Sequence, residues 1–88
     1  MRIADLLSCG QENAVPLSHI KSMTGMKGRT IRRMIASERL AGVPILSDCS
    51  TGYYLAENDG EKERFVRSMR HRAREIERAA EAIERAKE

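Results

Sequence analysis

Apolar residues recur at helical spacing over the first forty positions, then in two short stretches, then as a sparse stripe toward the C-terminus. Ile3, Leu6 and Leu7 predict a first helix over residues 2–9, with Gly10 as its C-terminal cap. Residues 11–13 read as a connector. Val15 and Pro16 fit a very short strand, because proline is tolerated at a sheet edge. Leu17, Ile20 and Met23 fall every third residue and predict a two-turn helix over 17–24. Residues 25–28 form a turn, and a third helix follows over 29–41, ended by Gly42 and Pro44. Residues 44–48 and 53–56 read as strands joined by a turn at 49–52. Asn58 or Asp59 caps a fourth helix running from about Glu61 toward Glu88, with Glu61 and Glu63 suited to its first turn.

At 1.5 Å per residue that last helix spans roughly 40 Å, too long to pack throughout on a body of the size left to it. Val66, Met69, Ala73, Ile76, Ala80 and Ile83 alternate in steps of three and four, the spacing of an a/d seam. Phe65 and Val66 are expected to face their own domain, and the outer half of the seam a partner helix. The expected fold is mainly α with a small β-hairpin and a long C-terminal helix, divided into residues 1–57 and 58–88.

The chain has 88 residues and a net charge of +3, which hides a strong asymmetry. Lys27, Arg29, Arg32 and Arg33 cluster without an acid between them. Residues 61–74 carry Lys62, Arg64, Arg67, Arg70, Arg72 and Arg74 against only Glu61 and Glu63. Residues 75–88 are net acidic. Clustered positive charge suits a polyanion. An antiparallel pair of the long helices would set each acidic end beside its partner's basic start, so a homodimer of that kind is expected. Arg67, Arg70, Arg74 and Arg78, with His71 beside them, form a further stripe. Internal pairs such as Glu63 with Arg67 account for it more simply than phosphate contacts do.

On a wheel of about 100° per residue, Ile31, Met34 and Ile35 gather on one side of the third helix. Arg29, Arg33 and Ala36 lie opposite, with Thr30 and Arg32 at the flanks. Arginine reads guanine through paired hydrogen bonds or grips phosphate. Ser50 and Thr51, at the hairpin tip, are placed to meet a nucleic-acid backbone. The stretches Ile20-x-x-Met23-Thr24-Gly25-Met26-x-x-Arg29-Thr30-Ile31-Arg32-Arg33-x-Ile35, Ala41-Gly42-Val43-Pro44-Ile45 and Gly52-Tyr53-Tyr54-Leu55 resemble the winged helix-turn-helix at the N-terminus of biotin-operon repressors and related bacterial regulators. The resemblance covers roughly residues 2–57. It implies a recognition helix over 29–41 in the major groove of double-stranded DNA and a wing over 44–56 on the backbone. The implied DNA-binding residues are Lys27, Gly28, Arg29, Thr30, Arg32, Arg33, Ser50 and Thr51. The dimer interface is expected at Val66, Met69, Ala73, Ile76, Ala80 and Ile83.

The chain departs from that pattern at several points. Lys27 stands where a capping Ser or Thr is usual, and Gly28 sits in the first turn at a cost of up to about 1 kcal/mol. Glu38 falls between Ile31 and Ile35 on the wheel, where an apolar residue is expected, while Leu40 points away. A basic partner for Glu38, or a shift of helix register, would accommodate it. Where those regulators continue into a large effector domain, this chain has one helix, which points to a stand-alone, prophage-type regulator or an excised domain.

Other readings compete. A small phage factor for recombination or replication would use the same surface to assemble other proteins. Gly25-Met26-Lys27-Gly28 is also a GxxG loop between two helices, as in KH RNA-binding domains. Cys9 and Cys49 are expected as free, buried or half-buried thiols of a reducing cytoplasm, with a single disulfide left open. His19 and His71 read as surface residues, and the methionines as core filler. One of Tyr53 and Tyr54 should be buried and the other exposed. Metal-binding spacings, nucleotide-binding loops and nucleophile elbows are all missing from the sequence, so neither an enzyme nor a cofactor, metal or small-molecule site is expected. A signal-peptide core and a membrane-length apolar run are missing too.

Overall fold

A computed structural model describes residues 1–87. Three α-helices and one antiparallel hairpin follow in the order α1 (Leu17–Thr24), α2 (Gly28–Leu40), β1 (Ile45–Asp48), β2 (Gly52–Leu55) and α3 (Asp59–Arg85). The fold is mainly α with a small hairpin and a long C-terminal helix. None of the helices among the described residues is long and apolar enough to cross a membrane.

The N-terminal segment is where the periodicity misled. Ile3, Leu6 and Leu7 do not seed an α-helix over 2–9; the chain makes a short 3-10 turn at Ile3–Leu6 and turns extended at Leu7. Ile3 and Leu7 are both buried even so. Three apolar residues cannot tell one 3-10 turn from two α-turns, and the outcome depends on what meets the turn's free amides. Gly10 is not a helix cap there. Its positive φ of 93° opens a second 3-10 turn, Gln11–Asn13, in place of the expected connector.

Ile3, Ala4, Leu7, Ile20, Ile31, Ile35 and Ile45 form one core beneath α1, α2 and the hairpin. Met26 and Met34 pack against it, but Met1, Met23 and Met69 are exposed, so only part of the methionine set fills the core. In the hairpin Ile45 pairs with Leu55, Leu46 with Tyr54, Ser47 with Tyr53 and Asp48 with Gly52. Ile45, Tyr53 and Leu55 share the core-facing side, yet Leu46 and Tyr54 on the other side are buried too. Both faces of the hairpin are covered, and neither tyrosine is exposed, contrary to the alternation argument. Burial pushes the Tyr54 phenol up from its usual pKa, with Glu61 and Asp48 adding to the shift and Arg64 opposing it.

Val15 forms an antiparallel bridge to Tyr53, donating to its carbonyl at 2.7 Å and accepting from its amide at 2.9 Å. The expected short strand is therefore a single paired residue. Asn58 caps α3 by accepting from the Glu61 amide at 2.9 Å. Only the first turns of α3 pack on the body. From Arg67 to Lys87 every residue is exposed, and the molecule measures 48 × 31 × 25 Å.

Candidate nucleic-acid interface

The turn before α2 is built by its own side chains. Thr24 donates its hydroxyl to the Ile20 carbonyl at 2.8 Å and accepts from the Met26 amide at 3.1 Å. Gly25 takes the left-handed conformation (φ 73°, ψ 6°) and returns its amide to the Lys21 carbonyl at 2.8 Å. Lys27 is extended and makes no side-chain cap, as its identity foretold. The helix then starts at Gly28. The first amides of α2 are left unpaired by any side-chain cap at a surface flanked by Lys27 and Arg29, so the helix dipole and the side-chain charges have the same sign there.

Ile31 and Ile35 anchor α2 in the core, which turns Arg29, Thr30, Arg32 and Arg33 outward. All four are exposed. The ion pairs among the described residues are Arg2–Asp5, Lys62–Asp59 and Arg78–Glu75, so none of the three arginines is neutralised by a carboxylate. A guanidinium held out this way is available for bidentate contact with a base edge or a phosphate.

Glu38 is neither paired with a base nor accommodated by a register shift. Its carboxylate accepts from the Ile3 amide at 2.7 Å and the Ala4 amide at 3.0 Å. An acid in the apolar stripe of α2 thus caps the N-terminal 3-10 turn, 35 residues away in sequence. Leu40 does point away, at 91% exposure.

Arg39 has a structural job. Its Nε donates to the Ile45 carbonyl at 2.7 Å, an Nη to Ser47 Oγ at 3.3 Å, and the guanidinium lies 5.0 Å from the Phe65 ring centroid. It ties α2, β1 and α3 together. Burial lowers its pKa from the usual value; Tyr53 works against that shift and nearby Arg72 with it.

At the hairpin tip Asp48 accepts from the Ser50 amide at 2.8 Å and the Ser50 hydroxyl at 2.7 Å, and the Thr51 amide donates to the Asp48 carbonyl at 3.2 Å. The amide and hydroxyl of Ser50, with Gln11 adding, hold the Asp48 carboxyl below its usual range. The Ser50 hydroxyl proton therefore serves the turn, and Ser50 and Thr51 are both exposed. Gly52 has φ 118°, and a Cβ there would lie 2.3 Å from the Val15 carbonyl oxygen, so no other residue fits beside the bridge.

Between the tip, α2 and the first half of α3 lies an open groove of about 720 Å³, edged by Arg32, Thr51, Arg64, Ser68 and Arg72 among others. The α3 arginines of this groove are not those of the stripe singled out from sequence. Lys62, Arg67, Arg70 and Arg74 border a separate hollow of about 540 Å³ beside Val66, and Arg78 pairs with Glu75 at 3.1 Å. Glu63 and Arg67 form no ion pair. Arg64, Ser68 and Arg72 recur every four residues, all three exposed beside the half-buried Phe65. That spacing was the signal that sequence reasoning passed over.

Along the proposed seam Val66 is half-buried, while Met69, Ala73, Ile76, Ala80 and Ile83 are exposed, Ile76 at 64% and Ile83 at 75%. His19 and His71 are exposed. Cys9 and Cys49 are both free and both exposed, which corrects the expectation of covered thiols. Groups of three or more His, Cys, Asp or Glu able to hold a metal are missing among the described residues. No protein-family model, no curated protein and no solved structure compared with this chain matches it.

Proposed function

We propose that this chain is a sequence-specific double-stranded DNA-binding protein of the winged helix-turn-helix type, a small bacterial or prophage transcriptional regulator acting as a cytoplasmic repressor. The observation that carries the reading is the outward, un-neutralised row of Arg29, Arg32 and Arg33 on a helix whose opposite face is locked into the core by Ile31 and Ile35. An α-helix fits the major groove, which is about 12 Å wide. Arg29 and Arg33 are one turn apart and reach successive base edges from a single docking. Lys27, Gly28, Thr30 and Thr51 meet phosphates at the margins, and the hairpin follows α2 closely enough to lie on the flanking backbone.

The test is a titration of the full chain against duplex fragments selected from a random pool, with single-stranded RNA at matched salt as comparator. Duplex DNA is expected to bind more tightly. Arg29→Ala and Arg33→Ala should each weaken the selected site by about 1–3 kcal/mol, with little effect on unselected DNA. Unchanged affinity in both variants would refute α2 as the reading element. Tighter binding of the RNA would refute duplex DNA as the partner.

A further inference from the structure

We infer that the groove between the hairpin tip and α3 is a phosphate track for one strand of the duplex backbone, with Arg32, Arg64 and Arg72 as its cationic wall and Thr51 and Ser68 as its neutral donors. The inference deepens the DNA-binding reading and rests on it, but it assigns a role to α3 that this reading does not contain.

Three elements contribute to the groove: Arg32 from α2, Thr51 from the hairpin turn, and Arg64, Ser68 and Arg72 from α3. All five side chains are exposed, and none of the three arginines belongs to an ion pair among the described residues. Two carboxylates also line the groove, and both are engaged by their own chain. Asp48 accepts from Ser50 and Gln11, and Glu61 accepts from the Glu57 amide at 2.8 Å and the Gln11 amide at 3.4 Å. Those hydrogen bonds fix the turn and the start of α3 while both carboxylates keep their charge, so three arginines against two acids leave the groove lining one net positive charge. Arg72 lies close enough to Arg39 to disfavour its charge.

A chain of phosphodiesters offers the unpaired guanidinium groups acceptors in series, and the groove is open enough to admit a backbone rather than enclose a small anion. Arg32 also belongs to the outward face of α2. The groove is therefore continuous with the reading helix, and a strand leaving the major groove beside α2 runs into it. At about 100° per residue Arg64 and Ser68 lie about 140° and about 100° from Met69, and Arg72 about 40° from Ile76, so the track lies beside the seam rather than on it.

The experiment uses the full chain with one selected and one unselected duplex, affinity being followed from low to high salt for the wild type, for Arg64→Ala with Arg72→Ala, and for Arg29→Ala with Arg33→Ala. Each phosphate that is no longer gripped should flatten the dependence of log K on log salt by about 0.9. The α3 double variant is expected to flatten it by about 2 and to weaken selected and unselected duplexes by the same factor, roughly tenfold or more at 0.1 M salt. Both residues are exposed, so its thermal unfolding should match the wild type's. Wild-type slope in the α3 variant, alongside weakened selected-site binding in the α2 variant, overturns the track while leaving the DNA reading intact. A wild-type chain that binds no duplex overturns both.

Discussion

Glu38 shows how one residue can be right for reasons its neighbours in sequence do not supply. On α2 it occupies a position that helical periodicity assigns to an apolar side chain. Its two oxygens instead satisfy the amides of Ile3 and Ala4, the two buried residues that start the turn. Glu38→Ala leaves two partly buried donors without an acceptor, and unfolding in urea should show a loss of about 2–3 kcal/mol. Glu38→Gln keeps one acceptor and should lose less. Equal stability of all three proteins would remove the capping role. Gly52 is a second such residue. Its φ of 118° alone is strained for a side chain, and the Val15 carbonyl oxygen stands where the Cβ would go. Gly25, at φ 73°, has open space around that point. Gly25→Ala is expected to cost about 1–2 kcal/mol from backbone strain alone. Gly52→Ala should cost more, because it must also break the Val15–Tyr53 bridge; a smaller loss than Gly25→Ala on thermal unfolding would contradict the close approach.

At the scale of elements, legibility followed the number of independent signals. α1 and α2 sit where apolar spacing, the intervening glycine turn and the Gly42–Pro44 stop agreed, and α3 begins where Asn58 and the acids after it agreed. The hairpin was readable from its turn residues and alternating strands. The stretch before Gly10 had one signal, three apolar residues, and there the reading failed. The alternation rule also failed at Tyr53 and Tyr54, because it assumes a sheet with one wet face, and this hairpin is covered on both. On α2 the outward set Arg29, Thr30, Arg32 and Arg33 follows directly from Ile31 and Ile35 facing inward. The grouping of Arg64 and Arg72 with Arg32 could not follow from any wheel, since it depends on how α3 lies across the hairpin.

At the scale of the whole molecule, α3 is the feature that calls for a second copy. Exposed Met69, Ala73, Ile76, Ala80 and Ile83 lie at seam spacing on a helix that projects beyond the body from Arg67 onward. We propose that two copies pair antiparallel along this seam, since the basic first half of one α3 then faces the acidic second half of the other. Two α2 helices so joined can serve half-sites about one helical turn of DNA apart, near 34 Å. Light scattering at tens of micromolar should report a dimer for the wild type and a monomer for Ile76→Glu, which sets like charges in the seam. A monomeric wild type would end this proposal without touching the reading of α2. High salt is expected to weaken the pair, because its register rests on charge.

The order and kind of the main elements, the outward basic face of α2 and the apolar stripe of α3 were determined by the sequence itself. Each is a local property: spacing, turn chemistry and the sign of charge act over a few residues, and helices obey them before any packing occurs. Tertiary structure alone decided the rest. It placed Glu38 beneath amides from the far end of the chain, set Arg39 across α2, β1 and α3, covered both faces of the hairpin and brought Arg64 and Arg72 beside Arg32. Those arrangements join residues separated by up to 40 positions, and which surfaces meet over such distances is settled by burial of the shared core rather than by any pattern along one segment.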